Sequence, residues 1–286
     1  MDVVLIPAYR RPELLFHCLK NIQAAHGADE HHYIFRFDHG HTVELHEAIK
    51  LAGFDFPHEI TVTPKCPYQI AKQSFSLLTG YALAASHTQG KVYMIEEDVM
   101  VATDFFRWHQ EVHEQRPDVF CSIAVKNPNR QVPEGAREEY YLTTDDYCSL
   151  GVCFPAKVIR EYIIQWAVTK FYTNPVDFCA RNFKDSPFGQ SYAEQDGLIR
   201  RIQWMAGMAM PIAYPYQARA YHAGYYGYNR GVGPNGSLIQ RIAYVRDIIY
   251  SDAAMRTFAK HPGWYEDSKP INLTAEPWQT LSLKPL

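Results

Sequence analysis

Three consecutive acidic residues are the part of this sequence that most plainly indicates chemistry. Glu96, Glu97 and Asp98 follow an apolar segment, residues 92–95, that has the length and composition of a buried strand. Adjacent carboxylates repel one another, and burying them costs several kcal/mol unless a cation or hydrogen-bond donors offset that cost. A hard divalent cation with a phosphate on its far side is the natural partner of such a cluster. The alternative interpretation is an acidic turn that faces solvent.

A second acidic pair stands at the start of a later predicted helix. Glu194 and Asp196 precede Leu198, Ile199 and Ile202, which have the spacing of a buried helix face. Carboxylates at a helix start are favoured by the helix dipole, which would explain them without any function. Alternatively, Asp196 is a general base, because a rigidly held carboxylate can accept the proton of an attacking alcohol without a raised pKa.

Residues suited to nucleotide binding follow the first two predicted strands. The loop after the first strand carries a proline, a tyrosine and two arginines: Pro7, Tyr9, Arg10 and Arg11. Pro7 is expected to end the first strand, residues 3–6, and Asp38 to stand at the carboxyl end of the second, residues 33–38. Asp38 can accept hydrogen bonds from a uracil or a ribose, although both stretches can also be ordinary solvated loops.

Two glycine-containing stretches indicate further contacts. Gly151, inside a predicted strand at residues 147–154, indicates a close approach to the backbone. The loop at residues 219–231 combines glycines with tyrosines, which is typical of a lid that orders over a ligand. We expect Arg219 to contact the nucleotide there, and His222 is a candidate ligand of a metal or a pyrophosphate. A lone loop histidine is more often neither.

Two histidines have the helical spacing of a zinc site but lack the rest of the motif. His109 and His113 are four residues apart, but the metalloprotease pattern requires Glu directly after the first histidine, and Gln110 stands there. We therefore predict a surface face of a helix. The six cysteines show no paired spacing and are expected to be free thiols.

The elements that must position these residues alternate between strand and helix. Strands are predicted at residues 3–6, 33–38, 59–63, 92–95 and 119–125, with helices between the first four and another starting from Thr103. The alternation breaks in a Pro/Gly-rich loop at 126–135. Strands at 140–144, 147–154 and 208–214, and helices at 156–171 and 237–261, follow. Such an order predicts an α/β fold with a mixed, mainly parallel sheet, whose ligands bind at the carboxyl ends of the strands.

Composition limits the class of protein. The chain has 286 residues, 47% of them hydrophobic, and a net charge of −3, so no overall positive field recruits nucleic acid. No run of about 18 apolar residues occurs, and no secretory leader is recognisable, so we expect a cytoplasmic protein without a membrane partner. We expect a single domain with two parts, residues 1–125 and 126–235, and a C-terminal helix and tail (236–286).

Several short stretches, read in order, resemble one family. Residues 96–106 are similar to Glu-Asp-Asp-Leu-x-x-Ala-Pro-Asp-Phe-Phe of the N-acetylglucosaminyltransferase I group, whose members are GT-A (Rossmann-like) fold glycosyltransferases. Residues 37–41, 70–73, 149–151 and 195–200 match further stretches of that group in the same order. The resemblance covers roughly residues 2–230. It departs from the group at Glu97, where the group has aspartate, and at residues 9–11, where the group tends to have Asp-Arg.

The resemblance implies roles for individual residues. By it, Asp98 coordinates Mn²⁺ or Mg²⁺ on the diphosphate of a UDP-sugar, Glu97 supports that metal beside Glu96, and Asp38 reads the base. Asp196, with Glu194 beside it, would deprotonate an acceptor hydroxyl in an inverting displacement.

The leading hypothesis is therefore a nucleotide-sugar-dependent glycosyltransferase. By the resemblance, residues 1–125 are its nucleotide-sugar-binding half and residues 126–235 its acceptor-binding and catalytic half. Its acceptor is left open between a glycan and a hydroxymethylated base in viral DNA, for which Lys126, Arg130 and Arg137 would supply positive charge. A sugar nucleotidyltransferase is an alternative, although its triphosphate loop would require glycines that residues 7–11 lack. A catalytically inactive sugar-binding module is the other alternative.

Overall fold

The computed structural model describes residues 1–9, 11–39, 42–68, 70–125, 140–144, 147–188 and 194–222. The first half alternates strands and helices as the sequence predicts: β1 (Val3–Ala8), α1 (Pro12–Gln23), β2 (His32–Phe37), α2 (Val43–Ala52), β3 (His58–Val62), α3 (Lys72–His87) and β4 (Lys91–Met94). Pro12 begins α1 because its missing N–H is not needed in the first turn of a helix.

The second half is more irregular. Its strands are β5 (Val99–Val101), β6 (Cys121–Ile123), β7 (Tyr140–Thr143), β8 (Val152–Pro155), β9 (Ile212–Pro215) and β10 (Ala220–His222). Its helices are α4 (Phe105–Gln115), α5 (Ala156–Val158), α6 (Thr169–Thr173), α7 (Pro175–Asn182) and α8 (Gln195–Ala206). Single helical turns occur at Ala28–Glu30 and Gly207–Ala209.

One eight-stranded sheet runs through both halves in the order β3-β2-β1-β4-β8-β6-β9-β7. The pairs β3/β2, β2/β1, β1/β4 and β6/β9 are parallel, and the three pairs β4/β8, β8/β6 and β9/β7 are antiparallel. The predicted fold class, a mixed and mainly parallel sheet flanked by helices, is confirmed. Separately, β10 pairs with β5 in an antiparallel ribbon.

The two faces of β1 show how the sheet is buried. Successive strand residues point to opposite faces. Val4 and Ile6 therefore pack in one core with α1, α2 and α4, whereas Val3 and Leu5 pack in the other with α3 and α8. Both faces are covered, which explains why β1 is apolar throughout instead of alternating.

Pro7 continues β1 instead of ending it. Its carbonyl accepts the N–H of Glu97 at 3.3 Å, on the side where β4 has already ended at Met94. The prediction failed because a missing N–H disrupts a strand only where a neighbouring carbonyl needs it.

The prediction of one continuous helix at residues 156–171 is wrong. α5 passes into a wider π-type turn at Ile159–Ile163, and a separate helix, α6, follows. The predicted strand at 147–154 is reduced to β8, because Gly151 adopts a left-handed φ of 62° directly before it. The strand at 208–214 likewise begins only at Ile212.

The prediction that His109 and His113 face solvent is wrong. Both are buried between α4 and β6, where Ser122 Oγ lies 2.6 Å from His109 Nδ1 and 3.0 Å from His113 Nε2. Burial lowers the pKa of His113 to about 4 and that of His109 well below its usual value, so both are neutral. A serine on the neighbouring strand makes a polar face of α4 compatible with the core.

All six cysteines are free thiols, as predicted. Within the described ranges, no helix combines the length and apolar character that crossing a bilayer requires. The predicted helix at 237–261 and the tail lie outside the described residues, as do Lys126, Arg130 and Arg137.

Candidate active site at the carboxyl ends of the central strands

The three acids lie buried beside the carboxyl end of β1. Glu96, Glu97 and Asp98 are 8%, 4% and 2% exposed, which excludes the solvent-facing acidic turn. The Ile95 and Glu97 N–H groups donate to the carbonyls of Leu5 and Pro7, so the chain leaving β4 stays against β1 before it enters β5. Buried carboxylates need a cation or several donors nearby.

Arg11 supplies that positive charge from the loop between β1 and α1. Its guanidinium lies 2.7 Å from Glu97 Oε1 and 2.6 Å from Asp98 Oδ2. The Tyr9 backbone N–H also donates to Glu97 Oε1, at 3.3 Å. The loop that the sequence assigned to nucleotide binding is therefore held directly on the acidic cluster.

His222 reaches the same cluster through a strand pairing. In the β10/β5 ribbon His222 stands opposite Val99, and its Nε2 lies 3.2 Å from Asp98 Oδ2. Asp98 Oδ1 is buried and has no hydrogen-bond partner among the described residues. One carboxylate oxygen of Asp98 thus contacts both Arg11 and His222, while the other could bind a ligand that is not part of the protein.

The charges in this cluster are unequal. Burial raises the pKa of Glu96 well above its usual value, and the nearby Asp98 and Glu97 add to the effect. Burial also raises the pKa of Glu97, to about 7, although Arg11 opposes it. Burial acts on Asp98 in the same direction, but Arg11 and the hydrogen bond from His222 outweigh it and lower its pKa to about 2. Asp98 is therefore the residue that stays charged.

Three residues of this cluster could hold a divalent cation. Asp98 offers its unpartnered Oδ1, His222 offers the nitrogen that lies beside Asp98 Oδ2, and Glu97 is the neighbouring carboxylate. One or two carboxylates together with phosphate oxygens and water are a usual ligand set for such ions, and a nitrogen ligand favours Mn²⁺ over Mg²⁺.

The second acidic site is connected to the first by a serine. Ser149 Oγ lies 3.1 Å from Asp196 Oδ2 and 3.3 Å from Glu96 Oε1. Burial raises the pKa of Asp196 to about 6, although the Ser149 hydrogen bond opposes the rise. In the sequence, Ser149 stands out only within residues 149–151, which resemble the family, and nothing in its local pattern predicts this contact.

Helix α8 holds Asp196 in its first turn, as predicted. Glu194 is the residue that precedes the helix; it is exposed, and its side chain makes no capping hydrogen bond. Gln195 hydrogen-bonds to Ser74, and this contact fixes the start of α8 against the first turn of α3. The geometry thus brings Asp196, rather than Glu194, to the acidic cluster.

Asp38 lies at the same edge of the sheet, directly after β2. Burial raises its pKa, and a hydrogen bond with Ser76 and the charge of Arg36 oppose the rise. Tyr9, directly after the neighbouring β1, is 39% exposed, so part of its side chain faces solvent at this edge. The positions agree with a base-binding role for both, which stays a prediction.

Two residues assigned to the nucleotide site have packing explanations. A Cβ on Gly151 would meet Ala220 Cβ at 3.1 Å and Ala124 Cβ at 3.3 Å, so the close approach comes from the protein's own chain. Arg219 is buried in an ion pair with Asp104, at 3.0 Å, and joins β10 to the start of α4. Asp104 precedes α4 where Thr103 was expected to. Arg10 lies outside the described residues.

Comparison with known proteins leaves the family open. No model of a protein family matches the chain, and no curated protein matches it in sequence.

Solved structures that the chain is similar to are glycosyltransferases. Staphylococcus aureus TarS (residues 1–349, with UDP-GlcNAc) is 11% identical over 91% of this chain and 71% of its own, with a TM-score of 0.48. The galactosyltransferase LgtC, with donor and acceptor sugar analogues, is 12% identical over 74% and 72%, with a TM-score of 0.46. Mouse xyloside xylosyltransferase 1 is 10% identical over 71% and 82%, with a TM-score of 0.44.

Proposed function

We propose that this protein is a metal-dependent glycosyltransferase that moves a sugar from a UDP-sugar to a hydroxyl acceptor with inversion. The observation that carries the proposal is the Ser149 hydroxyl, which connects Asp196 to the acidic cluster at 3.1 and 3.3 Å. A displacement at a sugar carbon needs a group that stabilises the leaving diphosphate and a base close to the attacking hydroxyl. The acidic cluster, with a bound cation, and Asp196 would supply these two groups side by side.

The donor side is built from the ends of β1, β2 and β4. Tyr9 and Asp38 would contact the base and ribose, and the Arg11 guanidinium would bind phosphate oxygens through two N–H groups. Asp98 and His222 would hold the cation, with Glu97 in support. When bound, that cation would neutralise the charge that develops on the departing diphosphate.

The acceptor side is built around Asp196. Its carboxylate takes the proton of the acceptor hydroxyl while that oxygen forms a bond to the anomeric carbon of the sugar. The bond from that carbon to the diphosphate oxygen breaks, and its electron pair leaves with UDP. Ser149 donates to the Asp196 carboxylate and keeps it oriented. Attack opposite the leaving group inverts the configuration of the sugar carbon.

Glycan and DNA acceptors remain alternatives within this proposal. Among different functions, an inactive sugar-binding module is disfavoured because a charged Asp98 and a positioned Asp196 are not needed for binding alone. A sugar nucleotidyltransferase would need glycines in the loop that holds its triphosphate, and residues 7–11 contain none.

A thermal-shift panel of nucleotide sugars with Mn²⁺ or Mg²⁺ tests the proposal. We expect one UDP-sugar to raise the Tm in the presence of the metal and to be hydrolysed or transferred slowly. Asp98→Asn should lose both effects, whereas Asp55→Asn, at an exposed aspartate between α2 and β3, should keep them. If no nucleotide sugar shifts the Tm with either metal, the chain does not have this function.

A further inference from the structure

A second group of metal-ligating side chains lies at the opposite end of the sheet from the active site. His32, Glu59 and His87 each present one ligand atom, and these three atoms all lie within 4.8 Å of one another. His32 begins β2, whereas Asp38 directly follows that strand. At about 3.3 Å per residue, the six steps along the chain from His32 to Asp38 span roughly 20 Å.

Strand register and helix packing bring the three residues together. His32 and Ile34 point to the same face because they are two residues apart on β2. Glu59 on β3 stands opposite Ile34 and so shares that face. Helix α3 packs on the same face, and His87 is its last residue. His87 Nε2 lies 3.7 Å from Glu59 Oε1, and the His32 and His87 rings are nearly parallel, at 8°.

These ligand atoms are available to a metal. Glu59 Oε1 is a buried atom with no hydrogen-bond partner among the described residues, although the Glu59 side chain as a whole is 37% exposed. No hydrogen bond to the imidazole of His32 or His87 occurs within the described ranges. A buried acceptor atom without a hydrogen bond destabilises the folded state unless a cation or a donor reaches it. Glu59 Oε1 faces His87 and is such an atom.

We propose that His32, Glu59 and His87 form a zinc site that ties the end of α3 to the edge of the sheet. Two imidazoles and one carboxylate are a ligand set typical of Zn²⁺, with the fourth position left to water. Ligands held at about 2.0–2.2 Å in a tetrahedron lie roughly 3.4 Å from one another. Half-exposed side chains at a strand start and a helix end can close the remaining gap by changes of rotamer.

The ligand set distinguishes this site from the acidic cluster. The acidic cluster offers mainly carboxylates, which suit Mg²⁺ and Mn²⁺, with one imidazole, whereas this site offers two imidazoles, which suit Zn²⁺. The proposal does not depend on glycosyl transfer, since none of its three residues takes part in the reaction described above.

Titration of the full chain with Co²⁺ and then Zn²⁺ tests the site. Every protein should carry His222→Ala, and the buffer should contain excess Mg²⁺. The acidic cluster then lacks its nitrogen ligand and its carboxylates are occupied by Mg²⁺, so Co²⁺ and Zn²⁺ do not bind there. We expect one equivalent of Co²⁺ to give the visible absorption of a four- or five-coordinate site and Zn²⁺ to displace it. Zn²⁺ should also raise the Tm.

The variants decide whether the three residues are the ligands. Glu59→Gln and His87→Ala should each weaken binding at least tenfold and remove the Tm shift. His58→Ala is the matched control, since His58 adjoins Glu59 on β3, packs its ring against Phe35 on the other face of the sheet, and should keep both effects. Each variant should keep the metal-free Tm of its parent, which separates ligand loss from misfolding. Unchanged binding in Glu59→Gln and His87→Ala, or stoichiometric binding through the cysteines instead, would overturn the proposal.

Discussion

Ser149 and Asp196 are joined by a hydrogen bond of 3.1 Å, and the same hydroxyl lies 3.3 Å from Glu96. A serine hydroxyl has one proton, so it donates to one of these two carboxyl groups at a time. Burial raises the pKa of both groups, and the charges of Asp98 and Glu97 add to the rise at Glu96. The hydrogen bond from Ser149 favours the ionised form of Asp196, which is the form that a general base requires.

The pH dependence of the reaction should follow Asp196. With a pKa of about 6, kcat/KM should rise with pH up to roughly that value and then level off, because only the ionised carboxylate accepts a proton. Ser149→Ala removes a hydrogen bond that favours the charged form, so the rising limb should move to higher pH. Rates measured from pH 5 to 9 check this. An unchanged limb would show that Ser149 does not act on the base.

Asp196→Asn should abolish transfer and stabilise the fold at neutral pH. The folded pKa, about 6, exceeds the usual 3.8, so the charged form is the disfavoured one when folded. The penalty is absent below pH 4 and fully present above pH 6. After a discount for its partial exposure, we expect a gain on the order of 1–2 kcal/mol at pH 8 and none at pH 4. Denaturant unfolding at both pH values measures it, and a loss of stability at pH 8 would contradict the assignment.

Arg11→Ala should make the protein depend on metal for its stability. Removing the guanidinium leaves Glu97 and Asp98 buried without their counter-ion, which should cost about 2–3 kcal/mol in the presence of EDTA. Mn²⁺ should then restore more stability than it adds to the wild-type chain, since it no longer competes with Arg11. Thermal unfolding with EDTA and with Mn²⁺ measures both effects. Arg116→Ala, in an exposed pair with Asp118, is the matched control and should change little.

His222→Ala should weaken metal binding at the acidic cluster by about tenfold or more, because it removes the nitrogen beside Asp98 Oδ2. Mn²⁺ binding can be followed by calorimetry or by electron paramagnetic resonance. His26→Ala, at an exposed turn after α1, should bind as the wild type does. Equal affinities in the two variants would remove His222 from the ligand set.

Local patterns determined much of what the sequence predicted correctly. Apolar segments of strand length, Pro12 and the helical spacing after Asp196 define elements through near neighbours, and parallel strands bring their carboxyl ends to one edge. The acidic cluster and Asp38 were therefore placed at the correct edge of the sheet. Such patterns also indicate which face of an element is apolar.

Only the tertiary structure decided which distant groups meet. The pairing of β10 with β5 brings His222 to Asp98, and the insertion of β8 beside β4 brings Ser149 between Glu96 and Asp196. Burial of His109 and His113 depended on a serine supplied by β6. The physical reason is that periodicity records whether a side chain faces the interior, whereas its partner there is set by strand order and packing across the whole chain.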